Sequence, residues 1–258
     1  MAENKEYVPI QSVARALGIL EVVCNSNQPM SVQEISAALG LSRTTAHGLV
    51  NTLVACKYLE KEPLTRKYMP TSKMYGMSCA YPHKLKVMQT ANPYLRALLT
   101  RYRQTIHLGV MSTNDDILLL KAYFPERVPN LTRVFNLPMH ATGIGKTMLA
   151  FLPEARREAI LEKIELTPYT KNTITDKSKL REEIAAIRQM GYGFDTAEYL
   201  DNTFCVGFPI FNERDEAIAS FSISGQQKDI EPMFAEIIPE SLQVSKTCSS
   251  EMGWTSIF

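Results

Sequence analysis

Apolar positions recur at helical spacing through the first hundred residues and give way to strand-like alternation after about residue 104. In Ser12–Asn25, Val13, Ala16, Leu17, Leu20 and Val23 or Cys24 fall on one side, which predicts an amphipathic helix with Arg15 outward. A loop at Asn25–Pro29 follows. Ser31 with Glu34 three residues on is a capping-box pattern, and Val32, Ile35, Ala38 and Leu39 share one side of a second, short helix. Gly40 can take the left-handed conformation that ends it. Ser42 then caps a third helix, Arg43–Ala55, with Ala46, Leu49, Val50 and Leu53 inward and Arg43, Thr44, His47 and Asn51 outward. Tyr58–Glu62 and Lys67–Met69 read as short strands around a turn at Pro63–Arg66. These elements make a winged helix-turn-helix. The polar face of its second motif helix suits the major groove of DNA.

Thr71–Tyr81 has helical composition. Proline disfavours helix at the residue before it, so Tyr81–His83 is the expected linker between domains. Leu85–Arg103 is a longer helix, with a kink or restart expected where Asn92 precedes Pro93. Thr105–Met111 and Ile117–Tyr123 read as strands about a turn at Asn114-Asp115, with a third strand possible at Thr132–Phe135. Helices are expected at Gly143–Phe151, Glu154–Ile164 and Ser178–Met190. Strands are expected at Tyr192–Asp195, Thr203–Phe211 and Ala217–Ser224, and a closing helix at Asp229–Ser250, broken near Pro239. No regular βαβ alternation appears. The fold class is therefore α+β, a mostly antiparallel sheet with helices on its faces.

Composition narrows the function classes. The 258 residues, 45% hydrophobic and 21% charged, suit two modest globular domains. A net charge of +1 argues against broad coating of nucleic acid. Residues 1–75 carry eight positive and six negative side chains, so a specific DNA reader here must place its charge and work as a dimer or larger assembly. No apolar run approaches bilayer length, and Met1–Pro9 lacks the apolar core of a signal peptide. A cytoplasmic protein without a membrane partner is expected. The five cysteines are scattered, and none forms a C-x-x-C pair, so neither a disulfide framework nor a metal or other cofactor is called for. Gly145-Lys146-Thr147 looks like the end of a phosphate-binding loop. The full pattern needs glycine at position 140, where His140 stands. Lys146 is instead expected as a surface or interface cation near a helix start. No histidine neighbours Cys205 in sequence, and His107 and His140 are expected in the core or in turns, so no catalytic residues and no enzyme are predicted.

Three stretches resemble one family. Ser12-Val-Ala-Arg-Ala-Leu-Gly-Ile-Leu20, the motif at 31–55, and Leu137-Pro-Met-His-Ala-Thr-Gly-Ile-Gly-Lys-Thr-Met-Leu-Ala150 are similar to the isocitrate-lyase-regulator (IclR) family of bacterial transcription factors. Gly191–Glu198 and Cys205–Phe211 look like that family's C-terminal signature. The resemblance implies a winged-helix domain over 1–72, a linker helix over 73–90 and a GAF-like effector-binding domain over 91–258. It also implies homodimers, and often tetramers. This chain departs from the family pattern in lacking a wing-turn glycine, in Pro70, and in Gly143 and Thr147 where alanine is commoner.

The expected DNA contacts are Arg43, Thr44 and His47 at the start of the recognition helix, Ser42 as a cap that also serves a phosphate, and Arg66 at the wing tip. The resemblance adds Arg15 as a backbone contact. Thr142, Gly143 and Ile144 lead into a helix whose N-terminus suits an anion, and the two glycines let a ligand approach the backbone. By resemblance, Asp195, Cys205, Ser222 and Ser224 line the same effector pocket. Ser222 and Ser224, two apart on a strand, share a face that otherwise reads as apolar. The expected partners are an operator duplex and a small organic acid, with the regulated genes those of a catabolic operon. The rival expectation is a winged helix that docks proteins without reading DNA.

Overall fold

The computed structural model describes residues 10–126 and 136–255, which form two compact units divided between Pro82 and His83. The strand expected at Thr132–Phe135 lies outside the described residues.

The first unit holds α1 (Gln11–Asn25), α2 (Val32–Ala38), α3 (Arg43–Ala55), β1 (Leu59–Lys61), β2 (Tyr68–Pro70) and most of α4 (Ser72–Lys84). Its core joins Ile19, Leu20 and Val23 of α1 to Ile35, Val50, Leu53, Leu59 and Tyr68. The stripe expected on α1 is therefore rotated. Ile19 is wholly buried, whereas Val13 and Leu17 are 53% and 55% exposed. On α2, Ser36 is buried and Ala38 exposed, because a seven-residue helix packs only one turn against its neighbours. The capping box forms as expected: the Ser31 amide donates to Glu34 Oε2 (2.6 Å) and the Glu34 amide to Ser31 Oγ (3.2 Å). Gly40 turns the chain at φ +61°. β1 and β2 pair antiparallel, Glu60 opposite Met69.

α4 runs through Pro82 rather than ending before it. Proline removes one helical hydrogen bond, and the turns on either side hold the helix together. The second unit opens with α5 (Lys86–Tyr102), which likewise continues through Pro93. Asn92 caps nothing; its Oδ1 accepts from the Tyr123 hydroxyl at 3.0 Å. Then come β3 (Thr105–Met111), β4 (Ile117–Tyr123), β5 (Asn136–Leu137), α6 (Gly143–Ala150), α7 (Glu154–Lys163), α8 (Lys177–Met190), β6 (Gly193–Thr196), β7 (Thr203–Phe211) and β8 (Ala217–Gln226). α9 (Gln227–Ile230) and a 3-10 turn at Glu231–Met233 precede α10 (Phe234–Glu251). The break in the closing segment thus falls at Pro232, and Pro239 lies inside α10.

The strands form one antiparallel sheet in the order β5-β4-β3-β8-β7-β6. Alternation gives its two faces different chemistry. Ile106, Leu108, Val206, Phe208, Ile210, Phe221 and Ile223 meet α5 and α10 in an apolar core. The opposite face carries α6, with α7 and α8 packed around it over Met148, Leu149, Ile160, Leu180, Ile184 and Ile187. Among the described residues, no helix is long and apolar enough to cross a membrane.

Candidate functional site

Two regions concentrate exposed or buried polar chemistry. In the first unit it lies on α3. Ser42 sits at the N-cap, its Oγ accepting from the Thr45 amide (3.1 Å). Arg43, Thr44 and His47 are exposed on the first two turns, because Ala46, Val50 and Leu53 hold the other side in the core. His47 Nδ1 lies 3.2 Å from Asn51 Nδ2. Arg66 is exposed in the turn between β1 and β2, at φ +60°. The wing thus makes its left-handed position without glycine, and the turn is closed by the Arg66 amide donating to Glu62 O (3.0 Å) and by the Thr65 hydroxyl on the Glu62 carboxylate. Lys67 ties the wing to α2 through Glu34 (3.1 Å). Two hydrogen bonds from Ser31, then Lys67, hold Glu34 down at about 2. Arg15 is half-buried on α1.

In the second unit the register brings Asp195, Cys205, Ser224 and Thr105 into one row across β6, β7, β8 and β3. The next row holds Gly193, Gly207, Ser222 and His107. This face is polar, which corrects the expectation that it is otherwise apolar. Phe194, Phe208 and Phe221 take the other side, where Phe208 stacks on Phe221 and Phe194 meets Phe234. Burial lifts Asp195 to about 6, against the pull of the Glu198 amide on its Oδ1 (2.7 Å). Burial, then the neighbouring Asp195 carboxylate, pushes the Cys205 thiol well up, so it stays protonated. His107, expected with His140 in the core or in turns, lies within β3. It belongs to this face, 3.5 Å from Ser224 Oγ, and burial lowers it to about 4, so it is neutral at ordinary pH. Only the β-strand register could have revealed it.

The start of α6 lies on these rows. A Cβ at Gly207 would stand 2.4 Å from Gly143 O, and one at Gly143 would stand 3.4 Å from Cys205 Cβ. Here the glycines let helix and sheet backbones touch; at Gly145, a Cβ would meet Met139 Cα at 2.6 Å. The Thr142 hydroxyl is occupied as the helix cap, accepting from the Gly145 amide (3.1 Å) and donating to Pro138 O (2.8 Å). Ile144 points into the apolar cluster beside Gly109. Gly143, Asp195, Cys205, Ser222 and Ser224 are thus gathered at one place, and the side chains of Thr142 and Ile144 turn to structural tasks.

Lys146 is neither on the surface nor free. It is wholly buried, its Nζ 2.5 Å from Glu198 Oε1 and 3.2 Å from Glu183 Oε1. Every residue of α6 is buried, so any cation on it must find its counter-ions inside. Glu198 Oε2 is buried without a partner among the described residues, and burial raises that carboxyl. Neither glutamate was singled out from the sequence, since both lie on elements remote in the chain.

Comparison with known proteins agrees with this architecture. The profile of the IclR helix-turn-helix domain matches residues 12–63, and that of the bacterial transcriptional regulator IclR C-terminal domain matches residues 79–249. The regulator XynR of Escherichia coli is 32% identical over 216 residues, covering 83% of this chain and 86% of XynR. The RHA06195 protein of Rhodococcus sp. RHA1 shares the fold with a TM-score of 0.77 at 24% identity, covering 96% and 99% of the two chains. An IclR homolog of Microbacterium hydrocarbonoxydans, complexed with 4-hydroxybenzoate, does so with a TM-score of 0.74 at 24% identity over 94% and 99%. With both profiles matched in order and a curated relative above 30% identity, the chain belongs to the IclR family of bacterial DNA-binding transcriptional regulators.

Proposed function

We propose that this regulator reads its operator through α3 and the wing as a homodimer or tetramer, and that a small organic acid in the second unit changes its affinity for DNA. The single observation that carries the reading is the exposed polar face of α3, capped by Ser42 and held by a buried opposite face. Residues 1–72 then read, 73–90 link and 91–258 sense. Arg43, Thr44 and His47 meet bases; Ser42, Arg15 and Arg66 meet the backbone or minor groove. Dimer formation is supported by Ile10, at the N-cap of α1, with Val13 and Leu17 on it, a line of exposed apolar side chains at helical spacing.

The effector reading rests on Asp195, Cys205 and Ser224 in one row and Ser222 in the next, beneath the start of α6, and on the acid carried by the Microbacterium relative. The effector binds one arrangement of the assembly better and shifts the population towards it. The site acts by binding rather than turnover, in the cytoplasm, on genes of carbon catabolism. A gel shift with the duplex from the protein's own promoter, at low and moderate salt, tests the DNA half. Binding should weaken with salt, and Arg43→Ala should cost about 1–3 kcal/mol and relax one base position. Undiminished operator binding by that variant sinks the placement.

A further inference from the structure

On α3, Thr44, His47, Gly48 and Asn51 are spaced i, i+3, i+4 and i+7, and all four are exposed. Gly48 is the odd member. It stands in the middle of a 13-residue helix, where glycine is the least favourable residue after proline. No positive φ requires it, since its backbone is ordinary right-handed helix. Nor does packing require it, because a Cβ there would meet nothing within 4 Å. Nothing inside the unit accounts for a missing side chain at this place. A body outside, approaching the helix closely between Thr44 and Asn51, does account for it.

Beside the gap stands an ordered pair. Asn51 Nδ2 lies 3.2 Å from His47 Nδ1. An amide nitrogen only donates, so Nδ1 accepts and the imidazole carries its proton on Nε2. The carboxamide keeps one N–H and its carbonyl oxygen. That donor and acceptor, side by side in a plane, match the N7 acceptor and N6 donor that adenine shows in the major groove. A side chain held at one end loses less freedom on making these bonds.

We propose that Asn51, held by His47, reads the adenine of an A·T pair, and that Gly48 is the clearance through which the groove wall reaches the helix. This rests on α3 being the DNA-facing helix. His47 is thereby a positioning residue as well as a contact, and the reading surface extends one turn beyond Arg43 and Thr44.

Selection from a random duplex library with the full chain tests it, alongside Asn51→Ala, His47→Ala and Gly48→Leu and the melting temperature of each. Wild type should enrich a motif with an A·T position that Asn51→Ala flattens, with an affinity loss of roughly 5- to 150-fold. His47→Ala should broaden the same position. Gly48→Leu should melt at or above wild type yet bind the selected duplex roughly tenfold or more weakly. An unchanged motif and affinity in Asn51→Ala overturns the adenine assignment, and full binding by Gly48→Leu overturns the clearance. Gly48→Ala, with only a methyl added, keeps that arm readable if the larger variant fails to fold. A wild-type chain that enriches no sequence fails at the earlier step, the DNA-facing role of α3, and takes this proposal with it.

Discussion

Lys146 shows how much one residue's placement alters its meaning. With the buried Glu198 and the half-buried Glu183 as its counter-ions in the second unit, truncating it leaves the Glu198 carboxylate buried and unpaired. Lys146→Met should therefore cost about 3–5 kcal/mol in urea unfolding, and adding Glu198→Gln should recover part of the loss. Asp195 makes the opposite case. Its carboxyl is raised to about 6 by burial, so the folded state holds a proton that the unfolded chain, with the ordinary aspartate value of 3.8, releases earlier. Stability from this residue is highest below about pH 4 and declines as pH rises through 6. Asp195→Asn keeps the acceptor for the Glu198 amide. It should stabilise at pH 7.5, by at most about 3 kcal/mol, and have little effect near pH 4; equal effects at both would refute the assignment. None of this was legible from the sequence. A lysine near a helix start reads as a surface or interface cation, and the glutamates that pair with it lie 37 and 52 residues further on.

At the scale of elements the sequence told more. The bounds of β3, β4 and β7 agree with the alternation, because a strand buried on one face must keep a period of two. The capping box and Gly40 are local signals and formed where they stand. Prolines misled: Pro82, Pro93 and Pro239 all lie inside helices, since neighbouring turns and packing outweigh one missing amide. The helix-on-sheet contact was illegible, for it depends on glycines from three separate elements. That contact predicts that Gly207→Ala, whose Cβ would stand 2.4 Å from the Gly143 carbonyl oxygen, destabilises the second unit by about 1–3 kcal/mol, read by thermal unfolding. In the first unit Ser31→Ala removes one half of the capping box and should cost about 1 kcal/mol by the same measurement.

For the whole molecule, the line of Ile10, Val13 and Leu17 has no partner within the described chain that covers it. Leu17→Glu should leave the unfolding transition in place and shift the mass measured by light scattering towards the monomer. Operator affinity should fall with it, because a lone head reads only one half-site. A dimer that survives this change would place the interface elsewhere. The sealed amine of α6 has a use at this scale. Acylating reagents that mark every solvent-facing lysine within minutes must wait at Lys146 until the surrounding half of the chain swings open. Its labelling by mass spectrometry would therefore act as a clock for those rare openings, and a ligand that tightens the sensing half should make that clock run slow.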